Sequence, residues 1–361
     1  MSTEFYPLTI ANVEQLTKDS VAVSFDVPRE LADKFTYIQG QHLTLKADIK
    51  GEDVRRSYSI CRSVQEQVLQ VGIKRIEGGL FSTFANEELK AGMTLDVMAP
   101  QGHFYTELSS AHQKHYLFIA VGSGITPVLA HIDSIFKAEP KSTVTLIYGN
   151  KATALMMFRE RISFIKNENI DRFEWVNLFT REENEAQLFN GRISAVKLIE
   201  LHDAGIITLN TVSDVFICGP EEMINEVVDA FKFWQFSDQQ INYELFFSGS
   251  AAKEMAEKQA LRAVQYGEKL SNVSVKVAGR KIFMDLAMGG NNILDAAMES
   301  GADLPFSCKG GVCATCKAKV VSGKVEMDIN HALTEKEVAD GMILTCQAHP
   351  ISARVEIDFD V

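Results

Sequence analysis

The chain has 361 residues, which at roughly 150 residues per domain predicts two or three domains, each large enough to bury its own core. Its hydrophobic and charged fractions, 46% and 23%, are those of an ordinary folded, soluble protein. The formal net charge of -12 argues against binding to nucleic acid or to an anionic membrane surface, because both need clustered positive charge.

The sequence predicts neither a membrane span nor an export signal. The longest apolar run, residues 115–132, is interrupted by glycine and proline. The first residues, MSTEFYPLTI, have no basic segment ahead of an apolar one. We therefore expect a cytoplasmic protein, in which thiols stay reduced and clustered cysteines indicate metal or redox chemistry rather than disulfides.

Apolar and polar residues alternate along the first part of the chain. The alternation is clearest in SVAVSFDV (20–27), HLTLKADI (42–49) and VLQVGIKRI (68–76), and glycine or proline marks the turns between such segments. Alternation with closely spaced turns is typical of antiparallel strands. The pattern is that of a small antiparallel barrel or sandwich, and we assign residues 1–108 to a β-barrel.

From about residue 115 the pattern changes to apolar strands that are each followed by a helical segment. YLFIAVGSG precedes ITPVLAHIDSIF, and the strands TVTLIYGN and SDVFICGP are likewise followed by longer amphipathic stretches. This order predicts βαβ units and a parallel sheet. We assign residues 109–247 to an α/β dinucleotide-binding domain.

The remaining residues divide into a linker and a third domain. Residues 248–271 are rich in Ala, Lys and Glu with few large apolar side chains, which predicts a partly helical linker. Residues 272–361 contain two strands, NVSVKVAG and RKIFMDLA, and a helix, ILDAAMES, followed by a cysteine-rich loop. These features predict a compact α+β domain.

Three of the six cysteines crowd into the loop SCKGGVCATCKAKV. Cys308, Cys313 and Cys316, together with Cys346, give the spacing C-x4-C-x2-C-x29-C. This is the plant-type [2Fe-2S] pattern, in which four thiolates hold two bridged irons. A zinc site is the alternative, but zinc sites built from four cysteines usually contain two C-x2-C pairs and only one is present here.

A flavin site is indicated by the segment RRSYSI. Arg56 can grip a pyrophosphate in bidentate fashion, Tyr58 can lie against an isoalloxazine ring, and Ser59 can hydrogen-bond its edge. The arrangement resembles the R-x-Y-S motif of the ferredoxin-NADP reductase family. The resemblance implies that FAD is the flavin and that Tyr58 and Ser59 take part in the hydride step.

A phosphate cradle is predicted about twenty residues later, in EGGLFSTFANEEL. Gly78 and Gly79 open a helix whose first turn carries Ser82 and Thr83. Free N–H groups at a helix start together with hydroxyl groups suit a phosphate. We expect this segment to hold the other end of the FAD diphosphate.

A nicotinamide site is predicted in the second domain, where VGSGITP follows a strand. Gly122 and Gly124 permit close approach of a pyrophosphate, and Pro127 suits the first helical turn after Thr126. The Pro replaces the third Gly of the usual dinucleotide fingerprint. This G-x-G-x-x-P form resembles the one used in the ferredoxin-NADP reductase family.

The same family resemblance extends to the turn Cys218-Gly219-Pro220 and to two arginines. It implies that the turn lies beside the nicotinamide ring, with Cys218 in the hydride step. It also implies that Arg181 and Arg192 hold a 2'-phosphate. Since no acidic residue is placed to select a free 2'-hydroxyl, NADPH is favoured over NADH.

The order of the three domains resembles the reductases of multicomponent oxygenases. The resemblance implies a β-grasp fold for the plant-type ferredoxin domain. It also implies a path for electrons from NADPH to FAD, to the [2Fe-2S] cluster and to an oxygenase component. Flavin is needed because nicotinamide gives up two electrons as a hydride, whereas the cluster accepts one at a time.

The C-terminal segments LPFSCKGGVCATCKAKVVSGKVEMDINHAL and LTCQAHP resemble the reductase components of bacterial phenylacetyl-CoA epoxidases. This implies a role in phenylacetate catabolism, with ring-1,2-phenylacetyl-CoA epoxidase as the electron acceptor. Reductases of aromatic ring hydroxylases and of hybrid-cluster proteins share the same domain order and stay open as alternatives. A redox sensor with a vestigial nucleotide domain is the alternative outside the enzymes.

Overall fold

The computed structural model describes residues 4–246 and 249–361, and for residues 249–254 it describes the backbone alone. The described chain divides into two compact units. The larger unit holds residues 7–54 and 58–246, and the smaller holds the rest. Among the described residues, no helix combines the length and the apolar character needed to cross a bilayer.

The N-terminal third of the chain is an antiparallel sheet with one helix. Its elements in chain order are β1 (Phe5–Thr17), β2 (Ser20–Asp26), β3 (His42–Ile49), β4 (Glu52–Ser59), β5 (Leu69–Lys74), α1 (Leu80–Glu87) and β6 (Thr94–Met98). The strand order is β4-β3-β6-β1-β2-β5, and a bridge between Ile60 and Val71 joins its two edges. The sheet therefore curls into a barrel.

The barrel core follows from the alternation in the sequence. Val23 on β2 lies opposite Val71 on β5, and Val21 lies opposite Ile73. All four side chains are buried. Directly opposed β-branched residues on one face are the contacts that stabilise an antiparallel pair.

The next part of the larger unit is a five-stranded parallel sheet covered by helices. Its elements are β7 (His115–Val121), α2 (Ile125–Ala138), β8 (Thr143–Asn150), α3 (Arg159–Glu168), β9 (Phe173–Phe179), α4 (Ala195–Asp203), β10 (Asp214–Gly219), α5 (Glu221–Phe233) and β11 (Ile241–Leu245). The order is β11-β10-β7-β8-β9, with every neighbouring pair parallel. The central strands are almost wholly buried, as expected for a sheet covered on both faces.

The smaller unit contains a mixed sheet and three helices. Its elements are α6 (Gly249–Tyr266), β12 (Leu270–Val277), β13 (Arg280–Ala287), α7 (Ile293–Glu299), β14 (Lys317–Ser322), β15 (Val325–Met327), α8 (Glu335–Ala339), β16 (Met342–Leu344), β17 (Ala348–Pro350) and β18 (Arg354–Asp358). The five-stranded sheet has the order β13-β12-β18-β14-β16, and β15 pairs with β17. Helix α7 begins at the cap Asn292 and buries Ile293, Leu294 and Ala297 in the core.

The predicted fold class is confirmed: an antiparallel barrel, a parallel α/β sheet and an α+β C-terminal domain follow one another. Most of the segment predicted as a linker, residues 249–266, is one continuous helix. The predicted domain boundaries at 108, 247 and 271 stay predictions.

Candidate redox site

Four cysteine thiols lie in two facing pairs in the smaller unit. Cys308 hydrogen-bonds Cys313, and Cys316 hydrogen-bonds Cys346. All four are free thiols, and each is buried except Cys308, which is half-buried. The structure thus brings the four predicted ligands together across the long gap in sequence.

The spacing of the cysteines, rather than their positions in the structure, discriminates between a [2Fe-2S] cluster and zinc. Within the described residues, no group of three His, Cys, Asp or Glu side chains is arranged to hold a metal ion as it stands. The spacing C-x4-C-x2-C-x29-C is that of plant-type [2Fe-2S] proteins, whereas zinc sites built from four cysteines usually contain two C-x2-C pairs. The hydrogen bond from Cys308 raises the pKa of that thiol and lowers the pKa of Cys313 to about 6, so Cys313 is ready to act as a thiolate. The donor set fits a [2Fe-2S] cluster.

The backbone of the cysteine loop winds around these thiols. Lys309, Gly311 and Ala314 have left-handed φ values of 51°, 76° and 55°. The N–H of Gly310 donates to the sulfur of Cys308 at 3.3 Å. A backbone that turns its N–H groups toward sulfur can moderate the negative charge of a cluster.

The nicotinamide-binding motif lies where the parallel sheet changes winding direction, between β7 and β10. Residues 122–124 form a 3-10 turn after β7, and α2 begins at Ile125. A Cβ on residue 124 would lie 2.1 Å from the carbonyl oxygen of Cys218, so the turns after β7 and β10 can touch only because Gly124 is there. Gly124 also has no side chain that could cap α2. The first N–H groups of the helix are therefore not occupied by a capping side chain, which suits the binding of a pyrophosphate.

The other residues of the two turns are at the same edge of the sheet. Thr126 and Pro127 are buried in the first turn of α2, and the Thr126 hydroxyl donates to the carbonyl of Ser123 at 2.9 Å. Gly219 ends β10, and Pro220 precedes α5. The Thr126 hydroxyl proton is therefore engaged locally, and nucleotide binding by Thr126 stays a prediction.

Ser59 and Cys218 are connected by a residue that the sequence did not single out. The Ser59 hydroxyl donates to a carboxylate oxygen of Glu244 at 3.1 Å. Glu244 on β11 lies beside Cys218 in the register of β10 with β11. Glu244 is half-buried as a residue, but its carboxyl lies deep enough for desolvation to raise its pKa to about 8, against the hydrogen bond from Ser59. Burial also raises the pKa of Cys218, which keeps that thiol protonated.

The flavin motif on β4 carries an aromatic side chain, Tyr58, and an exposed cation, Arg56. The ring of Tyr58 lies 5.6 Å from the ring of Phe81 on α1, with the planes tilted by 40°. Arg56 is exposed, and its guanidinium donates to the carbonyl of Arg55 at 2.7 Å. The guanidinium is thus on the surface, where it can reach a phosphate.

The predicted phosphate cradle precedes α1, with Gly78 in a left-handed conformation and Gly79 at the helix cap. Ser82 is buried, and its hydroxyl accepts from the N–H of Ile76 and donates to the carbonyl of Gly79. Thr83 instead lines an adjacent cavity together with Gly78. Thr83 thus lines a cavity whereas Ser82 is buried, and both stay predicted phosphate ligands.

That cavity, of about 580 Å³, is also lined by three cations, Lys74, Arg75 and Lys151, and by three carboxylates, Asp19, Glu77 and Glu87. Lys74 lies 3.9 Å from Asp19 and Arg75 lies 3.0 Å from Glu87, so two of the cations pair with carboxylates of the same cavity. The lining therefore carries no excess of positive charge, and a phosphate site at this turn stays a prediction.

Arg181 and Arg192 are both exposed and follow β9. The N–H of Arg181 donates to the carbonyl of Lys151 at 2.8 Å, which joins the ends of β8 and β9. The N–H of Gly191 donates to the carbonyl of Phe179 at 2.8 Å, which returns the chain before Arg192 to the end of β9. The loops at this edge therefore carry three cations.

Models of known families match three segments of the chain. They are an oxidoreductase FAD-binding domain over residues 7–105, an oxidoreductase NAD-binding domain over 118–229 and a 2Fe-2S iron-sulfur cluster binding domain over 275–350. The chain is also 43% identical over 359 residues to a subunit of 1,2-phenylacetyl-CoA epoxidase from Escherichia coli (strain K12), covering 99% of this chain and 98% of the relative. The chain belongs to the ferredoxin reductase family of that relative.

Other members of this reductase family are more distant. The ferredoxin reductase component of 3-ketosteroid-9-alpha-monooxygenase from Mycobacterium tuberculosis (strain ATCC 25618 / H37Rv) is 29% identical over 345 residues, covering 93% of this chain and 91% of the relative. The solved structure of phthalate dioxygenase reductase shares the fold, with a TM-score of 0.59 and 19% identity over 98% of both chains. These findings confirm the predicted family and an NAD(P)H oxidoreductase with FAD-binding and [2Fe-2S]-binding domains.

The elevated pKa of Glu244 predicts a pH-dependent stability. Between the ordinary carboxyl value near 4.5 and about 8, the folded protein keeps a proton that the unfolded chain loses. The free energy of unfolding therefore falls as pH rises through this window, by at most about 1.4 kcal/mol per pH unit. Glu244→Gln should flatten this dependence in thermal unfolding measured from pH 5 to pH 9. The exposed Glu174→Gln is the control, and a Glu244→Gln profile parallel to the wild type contradicts the prediction.

Proposed function

We propose that this oxidoreductase passes electrons from NADPH through FAD to a [2Fe-2S] cluster and on to an oxygenase component, with phenylacetyl-CoA epoxidase as the acceptor. The observation that carries the proposal is the combination, in one chain, of a flavin-type barrel, a nicotinamide-type sheet and a loop with paired thiols. The choice of acceptor is supported by the full-length similarity to a component of that epoxidase.

The four cysteines Cys308, Cys313, Cys316 and Cys346 are the proposed cluster ligands. Paired in this way, they would supply two sulfurs to each of two irons, and burial of three of them would limit access of water. The Gly310 N–H, already directed at Cys308, offsets part of the negative charge that ligation concentrates there.

FAD bound by the barrel would take a hydride from the pyridine nucleotide and release the electrons singly to the cluster. The residues of this chain position and shield that step. Gly124 and Cys218 let the nicotinamide approach at the edge of the sheet, and Ser59 and Glu244 place a hydroxyl and a buried carboxyl beside Cys218. With its pKa near 8, Glu244 can hold or release a proton close to neutral pH.

The preference for NADPH is supported by Lys151, Arg181 and Arg192 around the ends of β8 and β9. β8 ends at Asn150 and is followed by Lys151, and neither residue is the acidic one that would recognise a free 2'-hydroxyl. Glu182 is nearby, but its carboxylate accepts from the N–H and hydroxyl of Thr153, both at 2.7 Å. The carboxylate is thus turned toward the 153–155 turn.

Replacing Cys308 with Ser tests the order of electron transfer. We expect loss of bound iron and acid-labile sulfide and loss of NADPH-driven turnover by purified phenylacetyl-CoA epoxidase components. NADPH reduction of ferricyanide should stay within about twofold of wild type, because the flavin can pass electrons to a small acceptor directly. Cys61→Ser is the matched control, since Cys61 is buried in the barrel and donates to the carbonyl of Gln70. Equal loss of both activities would refute a series pathway.

The same assay identifies the acceptor. Wild-type protein should support the epoxidase components and not a ring-hydroxylating oxygenase offered at the same concentration. Turnover of the hydroxylase alone would assign the reductase to the other class of oxygenase.

Arg181→Ala and Arg192→Ala test the choice of nucleotide. A charged hydrogen bond to phosphate contributes about 1.5 to 3 kcal/mol, so each variant should lower kcat/KM for NADPH roughly tenfold to a hundredfold. The value for NADH should change little, because NADH has no 2'-phosphate. The exposed Arg280→Ala serves as the control. Equal losses with both nucleotides would show that these arginines do not read the 2'-phosphate.

A further inference from the structure

Helix α6 has an unusual distribution of side chains. Its exposed side carries apolar residues, with Leu261 71% and Val264 88% exposed. Its buried side carries charge, since Arg262 is 4% exposed and Lys258 is half-buried. Over residues 255–266, where the side chains are described, this differs from an ordinary amphipathic surface helix. Buried polar contacts therefore help to fix α6 in its unit.

The central polar contact is a buried ion pair. Both terminal nitrogens of Arg262 donate to Asp328, at 2.5 Å and 2.9 Å, in a bidentate arrangement. Nε2 of His349 lies 3.2 Å from the same carboxylate, and Lys258 donates to the backbone carbonyl of Asp328. Although burial opposes it, the hydrogen bonds from His349 and Arg262 lower the pKa of Asp328 to about 2. A buried carboxylate with these partners is held firmly in one position.

The backbone of α6 also lies close to the turn between β13 and α7. A Cβ on Gly289, in the turn between β13 and α7, would lie 2.8 Å from the carbonyl oxygen of Gly267 and 3.0 Å from the Cα of Ala263. The absence of a side chain at 289 lets the end of the helix approach to backbone contact. Two separate contacts thus fix the position of α6: the ion pair between Arg262 and Asp328, and the close backbone approach at Gly289.

Hydrogen bonds connect Asp328 of this ion pair to the cysteine loop by way of Gln347. The N–H of Asp328 donates to the carbonyl of Gln347 at 2.9 Å. The fully buried side-chain amide of Gln347 donates to the carbonyls of Lys309 and Cys346, both at 3.0 Å, and its nitrogen also lies 3.6 Å from the sulfur of Cys346. The sulfur of Met255, on α6 itself, is 3.7 Å from the same amide nitrogen. Gln347 therefore touches α6, the loop and a proposed ligand.

A second link runs along the segment that follows Asp328. The N–H of His331 donates to the carbonyl of Gly311 at 3.0 Å. Residues 328–331 therefore lie directly against the cysteine loop. The segment that begins at Asp328 therefore contacts both Gly311 and Gln347 through backbone hydrogen bonds.

We propose that α6 belongs to the cluster-binding site and that Arg262 is a positioning residue that sets the reduction potential of the cluster. Arg262 does so by holding Asp328, which in turn keeps Gln347 directed at Cys346. The inference rests on the proposed ligation of a [2Fe-2S] cluster by the four cysteines. Helix α6, which stands between the nicotinamide domain and the ferredoxin sheet in the sequence, thus has a role in tuning electron transfer.

The expected direction follows from charge. Reduction adds a negative charge to the cluster, and an N–H directed at a ligand sulfur stabilises the reduced form more than the oxidised form. Loss of the Gln347 amide, or of the residue that positions it, should therefore lower the reduction potential.

The test uses the full-length holoprotein in redox titrations followed by electron paramagnetic resonance. Gln347→Met should disfavour the reduced cluster roughly tenfold, which is about 59 mV for a one-electron couple. Arg262→Met should act in the same direction by roughly threefold or more, about 28 mV by the same conversion. Arg262→Lys keeps the charge without the bidentate geometry and should fall between Arg262→Met and wild type. Gln265→Met, on the exposed side of the same helix, should leave the potential and spectrum unchanged.

Iron and acid-labile sulfide are measured on every sample, so that only fully loaded protein is compared. Loaded Arg262→Met with wild-type potential and spectrum overturns the positioning role. If Arg262→Met does not load, Arg262→Lys decides the matter, since a wild-type potential in that variant also overturns the role. A wild-type protein that holds no iron-sulfur cluster contradicts the proposed function instead, so the two failures are distinguishable.

Discussion

The contact between Gly124 and the carbonyl oxygen of Cys218 is the constraint on which the nucleotide-binding edge depends. Because a Cβ at position 124 would lie 2.1 Å from that oxygen, the turns after β7 and β10 can meet only with glycine there. Their meeting puts Cys218 next to the start of α2. The register of β11 then puts Glu244 beside Cys218 and within 3.1 Å of Ser59. One backbone contact thus organises the residues proposed to surround hydride transfer.

The features predicted well from sequence are those encoded over short distances. The C-x4-C-x2-C spacing limits where three thiols can lie, and the family pattern supplied the fourth, Cys346. Strand alternation gave the barrel because opposed pairs such as Val23 and Val71 bury one face. The glycine turn before α2 could be placed because a strand that runs directly into a helix leaves few conformations for the chain between them.

The features that were missed depend on long-range register. Glu244 joins the site only because β11 pairs with β10, and nothing in the local sequence NYELFF distinguishes it from an exposed strand residue. The hydrogen bonds of the Ser82 hydroxyl with Ile76 and Gly79 were likewise not foreseen, and its role as a phosphate ligand stays a prediction. Helix α6 looked like a linker because its apolar residues are few and its charged residues many. Its partner, Asp328, lies 66 positions along the chain from Arg262, beyond any periodicity argument.

The central claim is that one chain converts paired electrons from a pyridine nucleotide into single electrons on an iron-sulfur cluster. Anaerobic titration of the purified holoprotein with NADPH, followed by visible absorption and low-temperature electron paramagnetic resonance, tests it most directly. The account predicts that flavin absorption bleaches and that the signal of a reduced [2Fe-2S] cluster grows in the same titration. Bleaching of the flavin with a cluster that stays oxidised, although dithionite can reduce it, would contradict the account.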